Sequence, residues 1–209
     1  MLKELSNYSA AIALPLSFGG FGISMQHFGS ENFSFSQLGL GYGRKLNEQV
    51  DLGIQLNYNI IRIPGYGTGT APNFELGTIW HISNKVHTGL HIYNPLSVKI
   101  GNNLQEKLSA RYKAGIGYEA GEQLIVSAEI TKQEEDTANL LLSLQYGFAK
   151  QFYARAGLSG NPGSYFLGFG LQFNIARFDI STFYHPQLGI TPSCMLLFDF
   201  VKSKEKPQE

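Results

Sequence analysis

Val50-Asp51-Leu52-Gly53-Ile54-Gln55-Leu56-Asn57-Tyr58-Asn59-Ile60 is the stretch that decides the fold. Its even positions are all apolar and its odd positions are all polar or glycine. Successive side chains of a β-strand point to opposite sides, so this segment predicts a strand with one oily face and one polar face. The same period of two returns downstream. Phe74, Leu76, Thr78, Trp80 and Ile82 alternate with Glu75, Gly77, Ile79 and His81. Tyr165, Leu167, Phe169, Leu171 and Phe173 alternate with Phe166, Gly168, Gly170 and Gln172. No stretch holds a 3.6 period between helix caps, so no long helix is expected.

Read this way, the chain predicts about thirteen strands, at 8–16, 20–28, 34–45, 49–61, 72–82, 85–94, 109–119, 123–132, 138–148, 151–159, 164–174, 176–184 and 193–201. Most approach the roughly 9–11 residues that a tilted strand needs to cross a bilayer. Soluble strands run to only about 5–6 residues. Composition agrees. Of 209 residues, 15% are charged, with sixteen Lys+Arg against sixteen Asp+Glu, and 24 are glycine. A soluble domain carries about 25% charged residues. The absence of basic excess argues against a nucleic-acid partner, and the lone cysteine argues against a disulfide scaffold. Mean hydropathy is −0.10, and no apolar run reaches the roughly 18 residues of a transmembrane helix.

The expected fold is therefore all-β, an antiparallel transmembrane barrel over 1–201 in the cell outer membrane, followed by a polar tail at 202–209. Connections are expected to alternate short and long, the long ones near 29–33, 62–71, 95–108, 133–137, 160–163 and 185–192, as in barrels with tight periplasmic turns and longer outer loops. Aromatic residues near strand ends predict interfacial girdles: Tyr42, Tyr58, Trp80, Tyr118, Tyr146, Phe173 and Tyr184. With short turns on the periplasmic side, the first strand starts outside the cell. Bacterial single-chain barrels have an even strand count. A further upward strand is thus expected before residue 8, giving about fourteen in all. The opening Met1-Leu2-Lys3-Glu4-Leu5 has no signal-peptide core.

Two segments, Gln37–Leu46 and Val50–Tyr58, resemble outer-membrane proteins of the PorV type from Bacteroidetes, which are related in fold to FadL-type transporters. So do Gly89–Pro95, Ser159–Pro162 and Tyr184–Gly189. The resemblance implies a fourteen-stranded barrel, often with an N-terminal hatch, and no enzymatic activity. It implies either a partner barrel in type IX secretion, binding cargo or machinery proteins, or a channel for hydrophobic molecules. Against that pattern, this sequence reads as one without the signal, the hatch and the first strand, an expected N-terminal truncation.

Ten charged or titratable residues fall on the polar positions and are expected to face the lumen: Asp51, Glu75, His87, His91, Arg111, Lys113, Glu129, Arg155, Arg177 and Asp179. Cross-lumen pairing or plain solvation of the wall accounts for them as readily as a polar path does. His81, His87 and His91 invite a metal, but four residues along a strand separate His87 from His91 by roughly 13 Å. A zinc ion holds its nitrogens at about 2.0–2.1 Å, so no metal is expected. Gly39–Gly43 and Gly168–Gly170 lie inside strands and carry no phosphate-loop signature. Loop 62–71, with Pro64, Tyr66 and the adjoining Pro72, is the candidate partner loop. Catalytic residues and cofactors are not expected. The first functional expectation is a secretion-associated or surface-assembly barrel; the second is a channel for hydrophobic or small solutes.

Overall fold

The computed structural model describes residues 6–30, 32–65, 67–101, 107–149 and 151–200. They form β1 (Ser6–Leu16), β2 (Gly19–Ser30), β3 (Phe33–Lys45), β4 (Val50–Ile63), β5 (Gly67–His81), β6 (Val86–Tyr93), β7 (Arg111–Glu119), β8 (Leu124–Gln133), β9 (Asn139–Ala149), β10 (Phe152–Ser159), β11 (Ser164–Phe173), β12 (Ala176–His185) and β13 (Gly189–Phe198). All thirteen pair antiparallel, in chain order, in one sheet, and no helix occurs among the described residues. The first five residues, Tyr66 and the tail 202–209 lie outside the described residues.

The sheet inverts the usual rule of burial. Along β4, Leu52, Ile54, Leu56, Tyr58 and Ile60 are exposed, Leu56 to 60%, whereas Asn57 and Asn59 are buried. Water would penalise a continuous exposed row of this kind by roughly 25 cal/mol per Å² of apolar surface. Lipid does not, so the even face of β4 is the bilayer face and the odd face lines the interior. Cross-strand register carries this assignment round the sheet. Leu40 pairs with Leu56, Leu56 with Phe74, and Phe169 with Ile180.

The connections differ from the alternating pattern expected. β4 ends at Ile63 and β5 begins at Gly67; β12 ends at His185 and β13 begins at Gly189. Much of 62–71 and 185–192 is therefore strand. Pro72 lies inside β5, opposite Tyr58 on the bilayer face, and not in a loop. The difference has a physical source, because proline and glycine are common in turns yet are tolerated at exposed strand positions. Pro15, Pro72 and Pro192 all sit where a strand is bordered on one side only. β1 and β13 are edges, and the β5–β6 ladder starts at Glu75. An absent N–H is tolerated at such positions.

In the long connection between Tyr93 and Arg111, the described residues 94–101 and 107–110 do not project outward. Ile100 packs on Ile61 and Ala71, with Phe35, Ile63, Val98 and Leu108 around them. Ile61 and Ala71 belong to the inward face, so Val98, Ile100 and Leu108 lie in the mouth over β3–β5. Asn94 turns the chain with φ 50°, a left-handed conformation that Asn adopts more readily than most residues. Its side chain accepts from Val98 N at 3.3 Å and donates to the Leu108 carbonyl. The Gly101 amide bonds Thr70 O at 2.9 Å.

β1 pairs only with β2, and β13 only with β12, among the described residues. The two edges border one cavity of about 860 Å³, with Ala11 and Ala13 on one side and Leu197 and Phe198 on the other.

Candidate functional site

The interior wall of β4–β8 is organised in levels. Toward the mouth, Glu75 is a hub. Its Oε1 accepts from Asn57 Nδ2 at 2.6 Å and Gln55 Nε2 at 3.3 Å, and its Oε2 lies 2.7 Å from His91 Nε2. Asn57 also donates to Asn73 Oδ1 at 2.9 Å, and the fully buried Asn59 donates to the Ala71 carbonyl at 2.7 Å. Half-way down, Lys113 Nζ meets Glu129 Oε1 at 3.0 Å. At the opposite end, Asp51 Oδ2 lies 2.8 Å from His81 Nε2, and His81 Nδ1 lies 2.9 Å from His87 Nδ1. His87 Nε2 then faces Glu119 Oε1 at 3.7 Å. On β10–β12, one carboxylate serves two cations: Arg155 Nη2 reaches Asp179 Oδ1 at 2.9 Å and Arg177 Nε reaches Oδ2 at 3.0 Å. Tyr153 donates its hydroxyl to the same Asp179. Arg111 lies 5.7 Å over the Tyr93 ring.

Register places all ten charged or titratable candidates on the interior face. Nine sit in carboxylate–cation or carboxylate–imidazole groupings, and Arg111 sits over an aromatic ring. The aromatic candidates Tyr42, Trp80, Tyr118, Tyr146 and Phe173 fall on the bilayer face toward the turns that follow β3, β5, β7, β9 and β11. Tyr58 and Tyr184 fall toward the other end, Tyr184 stacked on Tyr165 at 4.8 Å. Of the partner-loop candidates, Pro64 is an exposed turn residue and Pro72 a strand residue.

A glycine strip joins these levels. Gly20, Gly43, Gly53 and Gly77 stand directly opposite one another across four strands, and Gly89 faces Gly115. Some interior glycines are demanded by packing. A Cβ at Gly170 would collide with the Tyr153 ring, and one at Gly39 would press on Gln55 Nε2 at 2.6 Å. The strip is different. An added Cβ at Gly20, Gly43, Gly53 or Gly77 would meet nothing nearer than 3.7 Å, and at Gly117 nothing within 4 Å. None of these residues has positive φ, except that Gly20 follows the turn glycine Gly19. Glycine inside a strand costs roughly 0.5–1 kcal/mol relative to alanine. The protein's own packing does not require the empty space above the strip. That space is a cavity of about 730 Å³ over Gly53, Gly77, Gly89, Gly115 and Gly117, bounded by Ile79 and Leu141 and by His87, His91 and Lys113. Backbone CH₂ groups make its floor smooth and apolar, and the imidazoles and the ammonium sit at its rim.

No family model and no curated protein matches the sequence. Solved structures do match in shape. The toluene transporter TbuX of Ralstonia pickettii aligns over 89% of this chain and 78% of its own, with a TM-score of 0.65 and 10% identity. The CymD monoaromatic hydrocarbon channel aligns over 87% and 81%, at 0.64 and 12%. A mutant of the Rh. blastica porin aligns over 93% and 89%, at 0.53 and 11%. The chain is an outer-membrane-type β-barrel. At this identity the likeness is one of fold, and it extends to transporters and porins.

Sequence reading missed His81 as the centre of a cluster and missed the glycine strip. Both depend on register. Folding the β5–β6 hairpin about residues 82–85 puts His81 opposite His87, which counting along one strand cannot reveal.

Proposed function

We propose that this barrel is a passive outer-membrane channel for small hydrophobic molecules of about the size of one aromatic ring. The glycine-floored cavity carries the reading. Glycine where neither packing nor backbone conformation demands it points to close approach of something else, and a flat CH₂ surface between Ile79 and Leu141 suits the face of a planar apolar solute. A cavity of about 730 Å³ lies within the usual range for small-molecule sites. The similarity in fold to the toluene transporter TbuX and the monoaromatic hydrocarbon channel CymD supports the same class. The solved structures it resembles in fold are transporters and porins, which favours the channel reading over the secretion-partner one.

The test separates transport from folding. Gly77→Val and Gly117→Val each place a β-branched residue in open space. The expected result is unchanged or slightly higher thermal stability, with uptake of radiolabelled toluene into intact cells reduced several-fold. Uptake by the unaltered barrel no faster than by cells lacking it would end the proposal.

A further inference from the structure

The charges of the sheet are sorted by face. Register places the strand carboxylates Asp51, Glu75, Glu119, Glu129 and Asp179 on the interior. The bilayer face of the described strands carries Arg44, Arg62 and Lys132 and no carboxylate. Lys132 donates to the Asp136 carbonyl. Arg62 stands between Ser34 and Thr68, in a row of hydroxyls at the mouth end. Arg44 stands opposite Leu52 at the turn end and has no ion-pair, hydrogen-bond or ring partner among the described residues. It borders a groove of about 530 Å³ on the bilayer face, lined by Tyr42, Leu52, Ile54, Leu76, Thr78 and Leu90. The groove exists because the short Thr78 stands between Leu52 and Leu90 across the strands.

We propose that this groove binds one anionic glycerophospholipid, with its phosphate on Arg44 and an acyl chain along Leu52, Thr78 and Leu76. A guanidinium meets a phosphate through two parallel N–H···O bonds. Tyr42 sets the depth. Its hydroxyl donates to the Phe18 carbonyl at 2.9 Å, in the turn between β1 and β2, and aromatic girdles mark the membrane interfaces. Arg44 is one same-face step beyond Tyr42 toward the turn, so it stands at headgroup level, where a lipid-facing arginine costs little. The groove beneath it lies at acyl-chain level. With no carboxylate on this face, the lipid phosphate is the available counter-charge. Barrels keep their tight turns on the periplasmic side, which turns the groove toward the inner leaflet and its phospholipid.

The chain carries its own reporter. Trp80 is its only tryptophan and lies on the same face as Thr78, two residues away. The experiment uses the whole chain refolded into phosphatidylcholine vesicles. Phosphatidylglycerol or phosphatidylcholine, brominated on its acyl chain, is added at equal mole fraction, and quenching of Trp80 fluorescence is followed. Phosphatidylglycerol is expected to occupy the groove about five-fold better, the contribution of one interfacial arginine. Arg44→Gln, which removes the charge, and Thr78→Leu, which fills the groove, should each bring the two lipids to equality. Lys132→Gln should leave the preference unchanged. The comparison of the two lipids on the unaltered chain needs no variant to fold. Equal quenching there, a preference that survives Arg44→Gln, or one that falls as far with Lys132→Gln would overturn the proposal. So would a phosphorylated glycolipid that displaces phosphatidylglycerol from the groove.

Discussion

Asp179 holds two guanidiniums and a phenol with one carboxylate. Its side chain is 5% exposed, while Arg155 and Arg177 keep partial contact with water. Removing one member of a buried ion pair leaves an uncompensated charge, typically at a cost of about 3–5 kcal/mol. Asp179→Asn should therefore lower stability by about 3 kcal/mol, near the lower end because the arginines are partly solvated. Arg155→Gln should cost less, since Arg177 and Tyr153 still satisfy the carboxylate. Urea titration of the folded protein in detergent distinguishes the two. At this scale the sequence is half legible. Parity alone assigns Asp51, Glu75, Arg155 and Asp179 to one face. It cannot say that Glu75 meets His91 or that Asp179 meets Arg155, because those pairings depend on which residues stand opposite across a hairpin.

Among the elements, the segment between β6 and β7 is the one whose behaviour is tunable. Ser97 Oγ donates to Glu134 Oε2 at 2.6 Å and ties this segment to the β8–β9 connection. That hydrogen bond, first among the causes, holds the Glu134 carboxyl below its ordinary value. A depressed carboxyl stabilises the tied form above its unfolded value, and the benefit is lost as pH falls through its folded value. Limited proteolysis between Tyr93 and Arg111 should thus accelerate in acid, below the ordinary carboxylate range. Ser97→Ala should show faster cleavage at neutral pH and a flatter pH profile. Strand existence and type were legible for every element from period two. Strand ends were not, because Pro72 and Pro192 resemble loop residues until one sees that the ladder beside each is one-sided. The inward packing of Val98 and Ile100 was hidden because these apolar anchors find their partners in Ile61 and Ala71, on strands far back along the chain.

Across the whole molecule, the sheet has a protected middle and two bare margins. β4 is bonded on both sides along its length, whereas β1 and β13 have one bonded neighbour each among the described residues. Hydrogen exchange in micelles should show β1 and β13 amides exchanging faster than those of β4, by orders of magnitude. Equal protection of all three would mean that the margins are sealed in solution.

Twelve reversals of direction bring the chain back to the heading with which it set out, so β1 and β13 travel the same way. Butted together they would form a parallel seam in an otherwise antiparallel wall. A single strand running against both would be antiparallel to β1 and to β13 alike. A strand laid there in the opposite sense would be antiparallel to neither edge, so direction alone would set which pairing the two margins could accept.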